Sequence, residues 1–399
     1  MYFTKIKRNI AIIREDIKYY IFSYMYKRKR VQENKILFNN FMCRGFGDNP
    51  KYIAEEIMRQ KLPYQLVWII QKGDTTNVPR GIRTVKVGSR EEANEYATSK
   101  IIISNVKNRK PFFKKKDQYY IQTWHGSFAF KRIEKEIENI LSKRYTKQSQ
   151  LDSSITDVML SGCGYISNVM RNYFWYSGEI FECGQPRDDI YFNHTDKDVA
   201  IIREKYKIPV GIKVAVYAPT FRDNMDMSVY SSFDTQLFLD SLKKRFGGRW
   251  ILLVRFHPNV SKKESPIQFN NTILDFTNVT DGQEVFLCSD LLVTDYSSVC
   301  MDFTLMNKPV FLFIPDCVEY TKGRGFNHLF DIVPYPHCKT NKELKEAIMS
   351  YDEHKYKENI DFFMDKHYHN FSDGHASERV VERIKQVIDG TFKPCKTTN

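Results

Sequence analysis

The chain has 399 residues and 42% of them are hydrophobic, so it is long enough for two packed domains and too apolar to be largely disordered. Its formal net charge of +13 implies an anionic partner, such as a nucleic acid, an anionic membrane surface or a phosphorylated substrate. Eight scattered cysteines without a zinc-binding spacing, no signal peptide and no run of ~20 apolar residues predict an intracellular protein with reduced thiols and no transmembrane helix.

Residues 1–34 are predicted to form a membrane-associating segment. Apolar residues at spacings of three and four define one face of an amphipathic helix: Ile6, Ile10, Ile13, Ile17, Tyr20 and Tyr24. Nine Lys and Arg residues within positions 1–30, against two acidic residues, provide about half of the net charge. The basic cluster at 27–30 favours a helix that lies in an anionic membrane interface over one packed on the protein's own core.

Residues 35–195 alternate short apolar runs with helical patterns. The runs lie at 36–38, 66–70, 84–87, 101–103, 119–121, 158–160 and 180–181, and a helix is expected at 51–62. The alternation restarts within residues 196–399, with runs at 214–217, 250–254, 291–293 and 310–313 and a final helix at 376–388. This pattern is typical of parallel sheets covered by helices. It predicts an α/β protein in which two Rossmann-like domains face a cleft, the GT-B arrangement of many nucleotide-dependent transferases.

His125 lies in a polar turn directly after the predicted strand at 119–121. In open α/β sheets, ligands bind beyond the carboxyl ends of the strands. A histidine at that place can accept a proton from an attacking hydroxyl at neutral pH, and Gly126 beside it lets a ligand approach the backbone. The alternative is a histidine that only hydrogen-bonds its own loop.

Two further strand ends carry residues suited to an anionic ligand. Arg255 and His257 lie two residues apart on extended backbone, so they share a face and could bind a diphosphate; a surface ion pair is the alternative. Ser297 and Ser298 open a predicted helix, where unpaired N–H groups favour an anion; simple capping is the alternative. Asp302, one turn along that helix, could bind a ligand hydroxyl.

Turns at 184–189 and 218–223 each carry an arginine beside an aspartate after a predicted strand. Together, the strand-end turns present His, Arg, Thr and Ser side chains, which suits a site for a phosphorylated nucleotide. Neither a P-loop nor a G-x-G-x-x-G motif occurs in the sequence. The sequence therefore predicts a nucleotide site that uses neither motif.

Eight short motifs occur in a fixed order along the chain. They lie at 48–51, 123–127, 184–189, 217–223, 255–258, 294–298 with 302–303, 324–326 and 373–377. In this order they resemble the motifs of the CDP-glycerol and CDP-ribitol phosphotransferases of teichoic acid and capsule synthesis. Each motif alone is weak, but the set spans about residues 35–390 and is a specific signal.

The resemblance implies a GT-B-like fold and transfer of a polyol phosphate, with glycerol phosphate the first candidate, from a CDP-polyol with release of CMP. The acceptor would be a hydroxyl of a polyprenyl-diphosphate-linked glycan or of a growing polymer. By resemblance, His125 is the general base and His257 the second catalytic position. The donor-binding positions implied are Gly126, Ser127, Phe128, Ala129, Arg187, Pro219, Thr220, Arg255, Phe256, His257, Ser297, Ser298 and Asp302.

The resemblance also implies peripheral attachment to the cytoplasmic face of the cell membrane, and nucleic acid is not an expected partner. Many family members read His-Gly-Thr-Pro-x-Lys, whereas this chain has Ser127, Phe128 and Lys131, so the polyol and the role of Lys131 stay open. No carboxylate cluster predicts a resident metal or other cofactor, and Mg²⁺ on the diphosphate stays open. Two other interpretations remain: a GT-B glycosyltransferase that uses a nucleotide sugar, and a non-catalytic protein that binds RNA or membranes.

Overall fold

Two parallel β-sheets, formed one after the other along the chain, are the framework of the protein. The computed structural model describes residues 2–74, 78–108, 113–126, 130–222, 227–257, 260 and 266–392, with the backbone alone at 2–12, 323 and 324. The first sheet contains β1 (Gln32–Asn39), β2 (Gln65–Ile70), β3 (Ile82–Lys86), β4 (Ser99–Ser104), β5 (Tyr119–Gln122), β6 (Val158–Ser161) and β7 (Glu179–Glu182). Its strand order is β3-β2-β1-β4-β5-β6-β7.

The second sheet repeats this plan with six strands. They are β8 (Lys213–Ala218), β9 (Trp250–Val254), β10 (Ile273–Asp275), β11 (Leu291–Thr294), β12 (Val310–Phe313) and β13 (His337–Cys338), in the order β10-β9-β8-β11-β12-β13. The predicted α/β fold class is confirmed. β10 and β13 have only three and two residues, too few for an alternation pattern to show in the sequence.

Helices cover both sheets. They are α1 (Tyr2–Tyr26), α2 (Asp48–Arg59), α3 (Arg90–Thr98), α4 (Lys143–Ile155), α5 (Gly164–Tyr173), α6 (Asp189–Asn193), α7 (Asp196–Lys205), α8 (Ser228–Ser231), α9 (Thr235–Phe246), α10 (Gly282–Leu287), α11 (Val299–Leu305), α12 (Cys317–Arg324), α13 (Leu329–Ile332), α14 (Asn341–Met349), α15 (Glu353–Phe363) and α16 (Ala376–Ile388). Short 3₁₀ helices lie at Glu134–Ile140 and Pro186–Asp188, and a π-helical turn at Met364–Tyr368.

The central strands contain continuous apolar, buried runs because helices bury both faces of each sheet there. In β1, Ile36, Leu37 and Phe38 are all fully buried, and Phe38 pairs in register with Trp68 of β2. The two rings stack with centroids 5.4 Å apart. Continuous burial of this kind fixes the register, since a shift by one residue would place the large rings against the wrong neighbours.

The strand order reverses once in each sheet, between β1 and β4 in the first and between β8 and β11 in the second. At such a reversal the connections leave in opposite directions and open a crevice at the carboxyl ends of the strands. The turns that follow these strands carry Phe41 and Asn105 in the first domain, and Thr220 and Ser297 in the second. The fold thus places these turns around one cleft.

The last helix returns to the first domain. The sequence-based division assigns all of 196–399 to the second domain, whereas Val380, Val381 and Ile384 of α16 are buried in the same core as Ile53 and Ile57 of α2. Ion pairs add to this contact, from Arg383 to Glu179 at 2.9 Å and from Arg59 to Glu378 at 3.0 Å. Amphipathicity predicts the helix but not the core that it covers.

The N-terminal helix packs through one side and leaves an apolar stripe on the other. Tyr19 is 2% exposed and Ser23 is 3% exposed where α1 lies against α3. On the other side, Ile13, Ile17, Tyr20 and Tyr24 are between 48% and 57% exposed. Within the described residues, no helix combines the length and apolar character needed to cross a bilayer. Ile13 and Ile17 therefore do not serve the protein's own core, whereas the rings of Tyr20 and Tyr24 also contact the ring of Phe113, at 5.5 and 6.3 Å between centroids.

Candidate active site in the interdomain cleft

A cleft of about 1470 Å³ lies between the two domains. Among the predicted site residues, His125, Arg187, Pro219, Thr220, Arg255, Phe256, His257, Ser297, Ser298 and Asp302 line it. Gly126 is buried next to His125, while Ser127, Phe128 and Ala129 lie outside the described residues. The strand-end turns, about 170 residues apart in the chain, thus meet in one place, as the position of a ligand site beyond parallel strands requires.

His125 is held in one tautomer. Its Nδ1 lies 2.6 Å from the carbonyl oxygen of Asn105, and because a carbonyl oxygen only accepts, Nδ1 carries the proton. The other ring nitrogen, Nε2, is then the unprotonated acceptor. Burial lowers the pKa of His125 below its ordinary value of 6.5, so the ring is neutral at pH 7. In this arrangement Nε2 is able to accept a proton at neutral pH.

Asn105 is a buried residue that forms hydrogen bonds with several parts of the site, and the sequence analysis did not identify it. It follows β4, and its Nδ2 donates to Asn40 Oδ1 at 2.8 Å and to Asp48 Oδ1 at 3.1 Å. Its Oδ1 accepts from the backbone N–H of Phe41 at 2.8 Å. One residue therefore fixes His125, the turn after β1 and the start of α2. An asparagine directly after an apolar strand, at the reversal of strand order, is the signal that could have identified it.

Arg187 lines the cleft, but its guanidinium is already paired with carboxylates. It is 4% exposed, and its guanidinium donates to Asp48 Oδ2 at 2.9 Å, to Asp302 Oδ1 at 3.4 Å and to the carbonyl oxygen of His125 at 3.0 Å. Asp48 and His125 belong to the first domain and Asp302 to the second. In this structure Arg187 ties the two halves of the cleft together.

Only one carboxylate oxygen of Asp302 has a partner among the described residues. Its Oδ1 faces Arg187, whereas its Oδ2 is buried and has no hydrogen-bond partner among the described residues. Burial raises the pKa of the Asp302 carboxyl, because a charged form without solvent is unfavourable. A ligand hydroxyl that donates to Oδ2 would satisfy it, in line with the predicted donor-binding position.

The second domain presents cations to the cleft. Arg255 donates to the carbonyl oxygens of Phe276 at 3.2 Å and Val279 at 2.5 Å, which fixes its guanidinium at the cleft wall. His257 is exposed, and its pKa is lowered by partial burial and by the charges of Arg44, Arg255 and Lys131. Two of these cations, Arg44 and Lys131, come from the first domain. The predicted pair of donors is therefore part of a larger positive site.

The side chains of two predicted donor-binding residues of the second domain contact other residues of the protein. The ring of Phe256 is 3% exposed and packs 5.1 Å from the ring of Tyr230, so its side chain belongs to the core. Thr220 donates to Asp295 Oδ1 through its N–H at 2.8 Å and through its hydroxyl at 2.5 Å. Asp295 also pairs with Arg222 at 2.9 Å. These contacts set the shape of the turn after β8, next to Pro219.

Ser297 and Ser298 precede α11 with partly exposed side chains. Ser298 occupies the capping position without forming a side-chain capping bond, and Ser297 Oγ accepts from the N–H of Val299 at 3.5 Å, a long contact. The capping alternative thus accounts for little of these two hydroxyls. Across the described residues, no three His, Cys, Asp or Glu side chains converge to hold a metal ion.

A backbone bridge joins the two domains beside the cleft. Lys131 of the first domain pairs in an antiparallel bridge with Phe326 of the second, and Asn327 donates through its N–H to the carbonyl oxygen of Phe130 at 2.8 Å. Lys131 Nζ lies 4.9 Å from the ring centre of Tyr320. Lys131 lies one residue later than the lysine of the family motif His-Gly-Thr-Pro-x-Lys, and it reaches the cleft wall beside the interdomain bridge.

Comparison with known proteins gives consistent matches over most of the chain. A family model described as CDP-glycerol:poly(glycerophosphate) glycerophosphotransferase matches residues 21–386. The chain is 30% identical to a teichoic acid poly(glycerol phosphate) polymerase of Staphylococcus epidermidis over 399 residues, covering 96% of this chain and 54% of that protein. It is also 30% identical to a Bacillus spizizenii protein of the same name over 369 residues, covering 88% of this chain and 92% of that protein.

The fold agrees with a solved structure as well. The wall teichoic acid polymerase TagF, in a histidine-to-asparagine variant soaked with CDPG, matches with a TM-score of 0.82 and 29% identity over 97% of both chains. The chain spans about half the length of the S. epidermidis relative but nearly all of the B. spizizenii one and of the solved chain.

Proposed function

The chain belongs to the CDP-glycerol:poly(glycerophosphate) glycerophosphotransferase family, and we propose that it transfers glycerol phosphate from CDP-glycerol to a hydroxyl of a teichoic acid or capsule polymer. The observation that carries the proposal is the pairing, in one cleft, of a neutral His125 with a cationic wall around His257. The first suits removal of a proton from a hydroxyl, and the second suits a diphosphate.

The proposed reaction is a displacement at phosphorus. The acceptor oxygen attacks the phosphorus that carries the glycerol, and the bond from this phosphorus to the bridging oxygen of the diphosphate breaks. The acceptor proton passes to Nε2 of His125, and CMP leaves with the bridging oxygen. In the second domain, the guanidinium of Arg255 and a ring N–H donor of His257 stabilise the charge that develops on the leaving phosphate.

Donor contacts are assigned on the same geometry. Ser297 and Ser298 offer hydroxyls at the cleft, and Asp302 offers the buried oxygen that has no partner among the described residues. We assign the diphosphate to the serines with Arg255 and His257, and a hydroxyl of the donor to Asp302. Arg187 holds these elements in place through its carboxylate contacts.

The acceptor is proposed to reach the cleft from a membrane, as part of a polyprenyl-diphosphate-linked glycan or of a chain built on one. The exposed stripe of α1 with the basic residues 27–30 fits an anionic interface on the cytoplasmic face. Asp16 of α1 pairs with Arg144 at 2.5 Å, and the next residue, Tyr145, lines the cleft. Helix α1, the proposed membrane contact, thus pairs with a residue of α4 that adjoins the cleft.

The test of the reaction is CMP release from CDP-glycerol and from CDP-ribitol, each with a lipid-linked acceptor. We expect CMP from CDP-glycerol only in the presence of acceptor, together with an acceptor that has gained one glycerol phosphate by mass. Release of nucleotide from a nucleotide sugar, with none from either CDP-polyol, would refute the proposal in favour of a glycosyltransferase.

Membrane attachment has its own test, flotation with vesicles that contain anionic lipid. Replacing Ile13 and Ile17 by Gln removes two exposed apolar side chains from α1, so we expect bound protein to fall several-fold. Ile201, which is 52% exposed on α7, provides the matched control as Ile201→Gln. Equal binding of both variants and the natural chain would exclude the stripe as the membrane contact.

A further inference from the structure

The turn after β1 has an unusual backbone. Phe41, Met42 and Cys43 have φ angles of 40°, 56° and 68°, so three consecutive residues other than glycine are left-handed. Each such residue is strained by roughly 1–2 kcal/mol, and strain of this kind persists where the surrounding structure enforces it. Phe41 and Met42 are also 36% and 39% exposed, and both line the cleft. The fold therefore maintains a strained turn that presents apolar side chains to a ligand site.

Specific contacts enforce this turn. The N–H of Cys43 donates to Asn39 Oδ1 at 3.0 Å, and the N–H of Phe41 donates to Asn105 Oδ1 at 2.8 Å. Asn105 is the residue whose carbonyl oxygen accepts from Nδ1 of His125. The position of the turn relative to the proposed base is thus set through one buried residue.

Aromatic rings flank the imidazole of His125. The Phe41 ring lies 5.5 Å from it and the Trp124 ring 4.4 Å, centre to centre. Trp124 is itself left-handed, with a φ of 54°, and lines the cleft. A hydroxyl within hydrogen-bond distance of His125 therefore has its carbon skeleton beside Phe41 or Trp124, and Met42, the residue after Phe41, also lines the cleft.

Positive charge adjoins this apolar surface. Arg44 follows the turn, is exposed and lines the cleft, and its charge reaches His257 across the cleft. Lys107 also lines the cleft, with Nζ 6.0 Å from the ring centre of Trp124, and forms an ion pair with the buried Glu134. Apolar groups next to cations fit a ligand with C–H surfaces and phosphodiester groups, which is the chemistry of a polyol-phosphate chain.

We propose that Phe41, Met42 and Trp124 form the acceptor subsite, which holds the hydroxyl end of a polyol-phosphate chain against His125. The inference rests on the proposed function and deepens it by naming the residues that bind the acceptor rather than the donor. The donor residues of the second domain face this subsite across the cleft. Acceptor and donor affinity should therefore respond to different substitutions.

The test uses a short oligomer of poly(glycerol phosphate), and its binding to the full chain is measured by titration calorimetry in the presence of CMP. We expect the double variant Phe41→Ala with Met42→Ala to bind the oligomer at least about tenfold more weakly, with CDP-glycerol affinity within twofold of the natural chain. Phe362→Ala, at a residue of α15 that is 62% exposed, is the matched control and should change neither affinity. Phe41→Asn is a second variant, because asparagine tolerates the left-handed turn if the alanines unfold it.

Each result separates the subsite from the reaction. Unchanged oligomer affinity in the Phe41 variants, or an equal loss of CDP-glycerol affinity, overturns the subsite even where the natural chain releases CMP. A natural chain that does not bind the oligomer overturns the polyol-phosphate assignment. A natural chain that binds the oligomer through Phe41 but releases no CMP from any CDP-polyol supports the subsite and refutes the proposed transfer.

Discussion

The two halves of the cleft each present a histidine, and their surroundings differ. His125 of the first domain is half-buried, and its Nδ1 is fixed on the carbonyl oxygen of Asn105. His257 of the second domain is exposed, and the cations Arg44, Arg255 and Lys131 surround it. A fixed tautomer with an open acceptor nitrogen suits proton removal, whereas a ring among cations suits an anion. The same residue type at similar strand ends thus has two different chemical environments, which its neighbours determine.

The sharpest test of this difference is His125→Ala. We expect the turnover number to fall by about 10²- to 10⁴-fold, because the positioned base is lost, while CDP-glycerol affinity stays within twofold. Discontinuous assays of CMP release measure the turnover number, and titration with CDP-glycerol measures donor affinity. His354→Ala is the control, since that side chain is 86% exposed on α15. Near-normal turnover of the His125 variant would exclude it as the base.

Arg187, which joins the two halves, should matter next most, and for stability. Arg187→Gln leaves the buried carboxylates of Asp48 and Asp302 without their cation, so we expect the free energy of unfolding to fall by about 3–5 kcal/mol. The control, Arg171→Gln, breaks an exposed pair with Glu182 and should cost about 0–1 kcal/mol. Urea unfolding gives both values. Equal small losses would show that Arg187 does not tie the domains.

His257→Ala should mainly weaken donor binding, whereas His125→Ala should mainly lower turnover. The effect of His257→Ala should be the smaller of the two. We expect the dissociation constant of CDP-glycerol to rise about tenfold, which corresponds to about 1.4 kcal/mol for one charge-assisted contact, with a smaller change in turnover. The same titration and CMP assay apply. An unchanged donor affinity would show that His257 does not bind the donor. The positive site would then consist of Arg44, Arg255 and Lys131 alone.

Lowering the pH should have opposite effects through the two histidines: kcat/KM should fall as His125 is protonated, and CDP-glycerol affinity should rise as His257 is protonated. Burial lowers the pKa of His125 below 6.5, so its base form dominates at pH 7 and kcat/KM should fall only as acid protonates it. Protonated His257 adds a positive charge, so CDP-glycerol affinity should rise a few-fold over the same acid range. Donor titration from pH 7.5 to 5.5 in the His125→Ala background tests this, and His257→Ala should abolish the rise. A parallel fall of both quantities would contradict the assignment.

Much of the framework was predictable from the sequence because long apolar runs recur between amphipathic segments. The runs at 66–70 and 250–254 coincide with β2 and β9, and the helix expected at 51–62 is α2. The edge strands β10 and β13 were missed because they are too short to show a pattern. The destination of α16 was missed because its apolar face fits either core.

For the candidate site, the sequence supplied the residues at the ends of strands but not their partners. His125, Arg255 and Ser297 were predicted because they follow apolar runs in polar turns. Arg187 was expected to bind the donor, yet its burial between carboxylates depends on contacts with residues 139 and 115 positions away. Phe41 was not predicted because a left-handed φ leaves no signal in a residue other than glycine.

The return of α16 has a consequence for the order in which the protein is made. Residues 376–388 are synthesised after all the strands of both sheets, yet they complete the core that α2 and the first sheet begin. Domains usually fold in the order of synthesis, the N-terminal one first. Here the first domain keeps an uncovered apolar surface on α2 until the second domain and then α16 have been synthesised, so the second domain is the first that can close its core on the nascent chain.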